Sequence, residues 1–325
     1  MTNRFSLNLN PCSLRIGSRG SQLALWQANH IADKLRAQGH EVSIEIIRTT
    51  GDAMQHVSFA QVGSKGMFTK EIEEALIENR IDLAVHSLKD LPTTLDNPFV
   101  IAAVPERADP SDAFVSVKYS TFASLPQGAR VGTSSLRRQA QLRAQRSDLE
   151  YVEFRGNVDT RLRKLAEGQV EAIILAAAGL ERLARTEYLR ERFSPLVLTS
   201  AAGQGALAIE TRAGDENTTT ALTFLNHAAT RFCVSAERET LAALGGGCQV
   251  PIGVYCQPVH GGFNIVGVVA SPDGGNVLRA ELDCQHDDKP EVLGAKLAAR
   301  LLQQGAASIL SLTEPAQLQS GIAAS

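Results

Sequence analysis

Leu14-Arg15-Ile16-Gly17-Ser18-Arg19-Gly20-Ser21 reads as a short apolar strand running into a turn of small residues. The residues after it have a helical period. Ala24, Ala28, Ile31 and Leu35 share one face, Asp33, Lys34 and Arg36 lie elsewhere, and Gly39 stops the run. Residues 42–47 form the next apolar stretch. A strand, a helix and a strand joined this closely predict a parallel pair with a crossover helix, hence an α/β fold.

The pattern continues along the chain. A helix is expected over 69–79, with Phe68, Ile72, Ala75 and Leu76 on one face. A strand over 81–85 enters His86-Ser87-Leu88-Lys89-Asp90-Leu91-Pro92, and another strand covers 100–104. Residues 105–110, bracketed by Pro105 and Pro110, read as a hinge or crossover. A second α/β unit starts near Ser111. Its expected strands are 113–117, 130–132, 150–154 and 172–176, with helices over 136–146, 157–167 and 179–185; residues 196–198 then follow Pro195 and lead into a small-residue turn over 200–205. The middle helix should bury Val158, Leu162, Leu165 and Ala166. The last region changes character: a helix over 230–244, then β-runs at 253–256, 263–270 and 277–282 with short turns, and a helix over 291–303. Such turns favour an antiparallel meander. Residues 50–66 lack periodicity and carry Gly51, Gly63 and Gly66, which suggests a lid or binding loop around Lys65.

Length and composition narrow the function classes. A chain of 325 residues suffices for two or three cores, and 44% apolar with 21% charged residues is ordinary for a soluble globular protein. Lys+Arg 32 against Asp+Glu 35 leaves a net charge of -3, so nothing global favours nucleic acid. No signal peptide or membrane span is read from the sequence, and the five scattered cysteines show no zinc-binding pairs. Free thiols and a cytoplasmic location are the expectation. No metal site is expected, and without GxGxxG or GxxxxGK[ST], ATP and NAD have no visible seat.

Charge placement is more informative than net charge. Thr133-Ser134-Ser135-Leu136-Arg137-Arg138 puts two arginines in the first turn of a helix, where the helix dipole disfavours cations. An anion bound at that turn would relieve both the dipole and the free N–H groups. A solvated helix face with a serine cap is the plainer alternative. Arg19, Arg155, Arg161, Arg182, Lys65 and Lys89 recur at comparable loop positions, suggesting one cationic cleft aimed at a small polyanion. Asp90 stands out there: as a partner of Lys89, or as the group that meets developing positive charge or moves a proton. His86 closes an apolar strand and reads as structural. Finally, Gly245-Gly246-Gly247-Cys248 displays a thiol. A helix stop needs only one of these glycines, so a helix stop and a functional thiol both stand open.

Six ordered segments resemble the porphobilinogen deaminase family: 14–19, Val85-His86-Ser87-Leu88-Lys89-Asp90-Leu91-Pro92, 131–138, Arg155-Gly156-Asn157-Val158-Asp159-Thr160-Arg161, Ala202-Gly203-Gln204-Gly205-Ala206 and Gly246-Gly247-Cys248-Gln249-Val250-Pro251. The resemblance implies two periplasmic-binding-protein-like α/β domains plus a smaller C-terminal α+β domain with a three-stranded antiparallel sheet. The implied division is 12–105 with 200–224, then 106–199, then 225–325. It also implies a transferase of heme biosynthesis. Such an enzyme condenses four porphobilinogen molecules head to tail, with loss of ammonia, on a dipyrromethane cofactor held by a thioether to Cys248, giving hydroxymethylbilane.

By the same matching, Asp90, Arg19 and Lys89 are the expected catalytic residues. Lys89, Asp90, Thr133, Ser134, Ser135, Arg137, Arg138, Arg155, Gly156, Arg161 and Gly179 are expected at the cofactor. Arg19, Ser21, Lys65, Ser87, Arg155, Arg182 and Gln204 are expected at the substrate. A monomer without nucleic-acid or membrane partners is implied. Two positions depart from the pattern. Gln61 stands where many relatives carry lysine. Gly245 stands where glutamate is frequent, which is expected to loosen the cysteine loop. Competing readings are a non-catalytic binder of organic anions, which leaves Cys248 without a role, and a thiol hydrolase pairing Cys248 with His227 or His260.

Overall fold

The computed structural model describes residues 11–53, 69–246 and 250–313. Gln61, Lys65, Phe68 and Cys248 lie outside the described residues, as does most of the expected lid.

The first sheet has strand order β2-β1-β3-β10-β4, built from β1 (Ser13–Ser18), β2 (Glu41–Ile46), β3 (Leu83–Ser87), β4 (Phe99–Ala103) and β10 (Leu207–Arg212). The crossover helix is α1 (Gln22–Ala37), capped by Ser21 accepting from the Ala24 amide. Its Ala28, Ile31 and Leu35 pack on Leu14, Ile16, Leu83 and Val85. Full burial of such side chains contributes about 1.5–3 kcal/mol each. On the opposite face lies α2 (Lys70–Ile77), whose Ile72, Ala75 and Leu76 cover Ala84 and Ile81.

The second sheet repeats the arrangement as β7-β6-β8-β5-β9, from β5 (Asp112–Val115), β6 (Arg130–Gly132), β7 (Glu150–Val152), β8 (Ala172–Ala176) and β9 (Leu189–Phe193). Its helices are α3 (Leu136–Gln145), α4 (Val158–Ala166) and α5 (Ala177–Arg182). In both sheets three neighbouring strands run parallel, but β10 and β5 pair antiparallel with both their neighbours. These two strands carry the chain into and out of the second sheet, which is why each opposes its sheet.

Several local expectations need correction. An edge strand that the sequence reading did not assign spans Leu189–Phe193, whose Leu-Arg-Glu-Arg-Phe alternation hides a one-sided strand. The third helix of this unit begins at Ala177, because β8 runs into it without a linker. Ala166 is exposed, and the buried stripe of α4 is Leu162 and Leu165.

The last sheet is the antiparallel meander β11 (Ile252–Val259), β12 (Gly262–Ala270) and β13 (Val277–Gln285). Helices α7 (Ala228–Ala243) and α8 (Pro290–Gln303) cover it, following α6 (Glu216–Leu222), with α9 (Ala306–Leu310) behind them. Leu244 caps α7. The Gly245 amide donates to Ala242 O, the Gly246 amide to Leu241 O, and Gly245 has φ +68. This is a left-handed helix stop, which favours glycine. Gly245 thus closes a hydrogen-bonded helix end, while the cysteine loop it is expected to loosen lies outside the described residues.

Arg107, in the crossover between the sheets, ties the units together. Its guanidinium donates to both Glu237 oxygens at 2.7 and 3.1 Å and to Gln204 O at 2.8 Å. Glu237 also accepts the Gly203 and Cys256 amides, so the buried acid is satisfied from three segments. No helix among the described residues is long and apolar enough to cross a membrane.

Candidate active site

Strand β3 ends at Ser87 and turns through one 3-10 turn, Leu88–Asp90. Leu88 is buried and its amide donates to Ala206 O at 3.1 Å, which anchors the turn on the returning chain. Pro92 has no N–H to extend it. Asp90 is thereby exposed, and Lys89 is partly buried beside it.

Two adjoining cavities open here. One, of about 70 Å³, is lined by Arg19, Ser21, Gln27, His86, Ser87 and Asp90. The other, of about 110 Å³, lies between the sheets and is lined by Ser87, Lys89, Arg138, Arg161, Gly179 and Arg182, with Gly205 at its edge. Ser87 and Leu23 belong to both. Ser87 is held by Gln27, whose amide donates to its hydroxyl at 2.8 Å.

The second cavity is strongly cationic. Burial lowers Lys89 to about 8, with Arg138 and Arg137 adding to the fall and Asp90 and Asp112 opposing it. Arg161 is lowered to about 10, first by burial and then by Arg138 and Arg155, and its Nε has no hydrogen-bond partner among the described residues. Burial likewise lowers Arg182 to about 10. Its guanidinium donates to Gly205 O at 2.7 Å and lies over the Trp26 ring at 5.7 Å. Gly205 itself has φ +86, and a Cβ there would stand 2.5 Å from Ala108 O, so the turn closes only with glycine. Cations destabilised by burial and by each other, one with an orphaned N–H, are a fit for a polycarboxylate.

The expected residues are not all brought together. Arg137 and Arg138 are buried and share Asp112. Arg137 reaches Oδ2 at 2.7 Å and Arg138 reaches Oδ1 at 2.9 and 2.7 Å. The two arginines hold the Asp112 carboxyl well below its usual range despite its burial. The anion at the start of α3 is thus supplied by the chain itself, although Arg138 still lines the cavity. Ser135 caps α3 by accepting the Arg138 amide, Ser134 donates to Phe154 O, and Thr133 accepts the Ser135 amide. Arg155 pairs with Glu153, next to Gly156. Gln204 is buried, and its amide donates to Asp112 Oδ1 at 2.9 Å and Pro110 O at 2.7 Å, away from both cavities.

Sequence reading missed Asp112, Gln27, Trp26 and Glu210. Asp112 left a signal: an acid opening the apolar strand Asp112-Ala113-Phe114-Val115 needs a buried cation. His86, read as structural, faces the Asp90 cavity.

Fold and site together define a two-lobed α/β protein with a cation-lined cleft between its lobes and a carboxylate at the mouth. Residues 14–220 match the family model described as porphobilinogen deaminase, dipyromethane cofactor binding domain, and residues 231–303 match the porphobilinogen deaminase C-terminal domain. The chain belongs to the porphobilinogen deaminase family. It is 48% identical over 304 residues to the porphobilinogen deaminase of Nitratidesulfovibrio vulgaris, covering 92% of this chain and 96% of that one. It is 50% identical over 298 residues to that of Desulforudis audaxviator, covering 91% and 96%. Among solved structures, a putative methionine-binding lipoprotein from Bacillus subtilis aligns at TM-score 0.41 and 13% identity, over 66% of this chain and 90% of that one. A nutrient binding protein from Burkholderia cenocepacia bound to methionine aligns at TM-score 0.40 and 15% identity, over 64% and 89%.

Proposed function

We propose that the chain condenses four porphobilinogen molecules head to tail, releasing ammonia at each addition, and frees the linear tetrapyrrole hydroxymethylbilane. Family membership supports the reaction. The observation in the site that carries it is the buried guanidinium of Arg161. Its Nε is unpartnered among the described residues, in a cavity it shares with Lys89 and Arg182 and next to the one that Asp90 lines. Porphobilinogen carries two carboxylates, and each added ring adds two more, so the growing chain is the polyanion that such a cavity lacks.

The residues present fit a dipyrromethane group. Arg161, Arg182, Arg138 and Lys89 would hold its carboxylates, with Gly179 leaving room at the wall. Arg155, Gly156, Thr133, Ser134 and Ser135 would shape the floor, and Arg137 and Gln204 would position Arg138 through Asp112. A thioether to Cys248 would fix the group. When bound, it supplies the ring on which the chain is extended.

Arg19, Ser21 and Ser87 would seat the incoming substrate, with Lys65 adding charge. Asp90, exposed at the mouth, would face the positive charge that develops on the substrate pyrrole as ammonia departs. The proposed division is 12–105 with 200–224, 106–199 and 225–325; the three separate sheets support it. A cytoplasmic monomer is the state that belongs to this reading. The test is direct. Purified protein given porphobilinogen should release one ammonia per molecule consumed and yield hydroxymethylbilane. Consumption without tetrapyrrole, or none, would refute the reading.

A further inference from the structure

We propose that His86, oriented by Glu210, is the proton-accepting residue of the cavity on which Asp90 opens. In this role it takes the proton that each joined pyrrole ring must lose. The inference rests on the reaction proposed above.

The strand places the residue. Along β3, Leu83 and Val85 face α1, while Ala84 packs under α2. Alternation sends His86 to the side of Ala84. Glu210 of β10 pairs in register with Ala84 and therefore shares that side. His86 Nε2 lies 3.0 Å from Glu210 Oε2. An imidazole nitrogen facing a carboxylate carries the hydrogen, which leaves Nδ1 with its lone pair. Nδ1 makes no hydrogen bond among the described residues, and His86 lines the cavity with Arg19, Ser87 and Asp90.

A histidine kept only for packing would not call for a fully buried acid. Glu210 is 0% exposed, and its Oε1 has no hydrogen-bond partner among the described residues. The cost of that arrangement is visible on α2, where burial and the Glu210 charge raise Glu73. The charged groups around His86 are Glu210 from β10, Glu73 from α2, Asp90 from the turn after β3 and Arg19 from the turn after β1.

The chemistry needs such a group. Each addition breaks the substrate's aminomethyl C–N bond, and the electron pair leaves with ammonia. A C–C bond forms from that methylene to the free α-carbon of the preceding ring. The α C–H bond then breaks, its electrons restore the aromatic ring, and the proton goes to a base. Asp90 must stay ionised to face the positive charge. Nδ1 of His86 in the same cavity can take the proton without discharging Asp90, and pass it to the departing ammonia or to water.

Porphobilinogen deuterated at its free α-position tests this in the holoenzyme. In His86→Gln we expect turnover to fall about 100-fold, at the lower end of general-base effects. The isotope effect on kcat should rise above the wild-type value, and added imidazole should restore part of the rate. Unchanged turnover would overturn the proposal, and so would a fall with no rise in the isotope effect. Should His86→Gln not fold, Glu210→Gln carries the same readout, and an unchanged isotope effect there overturns it equally. Independently of turnover, 15N NMR should show His86 protonated at Nε2 and bare at Nδ1; the opposite tautomer would contradict the assignment. Wild-type product formation in the same assay checks the underlying reaction separately.

Discussion

Asp112 grips Arg138 through two guanidinium nitrogens, Nε at 2.9 Å and a terminal nitrogen at 2.7 Å, both on the same carboxylate oxygen. Its other oxygen takes Arg137 at 2.7 Å. One acid thus holds two cations inside the second sheet, and only one of them reaches the cleft. Asp112→Ala strands both guanidinium groups, and breaking a buried pair in this way costs about 3–5 kcal/mol. Urea denaturation should show a loss of that size.

The same carboxylate gives a pH signature. Its folded value lies below its unfolded value. Its contribution is therefore complete above about pH 5 and erodes as pH falls below about 4, the ordinary aspartate range. Asp112→Asn should flatten the acid limb of stability against pH relative to wild type. An unchanged limb would mean that the acid is not held as described.

Lys89 provides a second inflection, on the alkaline side. Lowered to about 8, it is charged below that pH and increasingly neutral above it. Its lowering reflects the cost of a buried ammonium, a cost present below pH 8 and relieved as pH rises. An anionic ligand pays that cost instead by pairing with the charge. Affinity for porphobilinogen should therefore weaken as pH rises through about 8, and Lys89→Met should remove this step from a plot of KM against pH.

Arg161 separates stability from function. Its Nε is buried without a partner among the described residues, so Arg161→Leu should leave the melting temperature unchanged or higher in a Cys248→Ser background. In otherwise wild-type protein it should weaken substrate or cofactor retention about 10- to 100-fold, the loss of one charge-assisted contact of about 1.5–3 kcal/mol. A matched fall in melting temperature and affinity would point to a structural arginine.

The α/β class, the helices and the terminal meander were legible because periodicity records which face is buried. The strand–helix–strand at Leu14 and the buried stripe of α1 follow from that rule alone. Strand Leu189–Phe193 was not legible, since only Phe193 along it is buried. Within the site, the cations at loop positions and Asp90 could be read from their places at strand ends. The pairing of Arg137 and Arg138 with Asp112 could not, because it joins residues 25 and 26 positions apart through a sheet crossing. The contact of His86 with Glu210 was hidden for a related reason: the two lie 124 residues apart.

The covalent primer is the claim on which the rest depends, and the intact mass of the denatured protein tests it most directly. The mass should exceed that of the 325-residue chain by one dipyrromethane, and the excess should vanish in Cys248→Ser. Active protein with the unmodified chain mass would contradict the account.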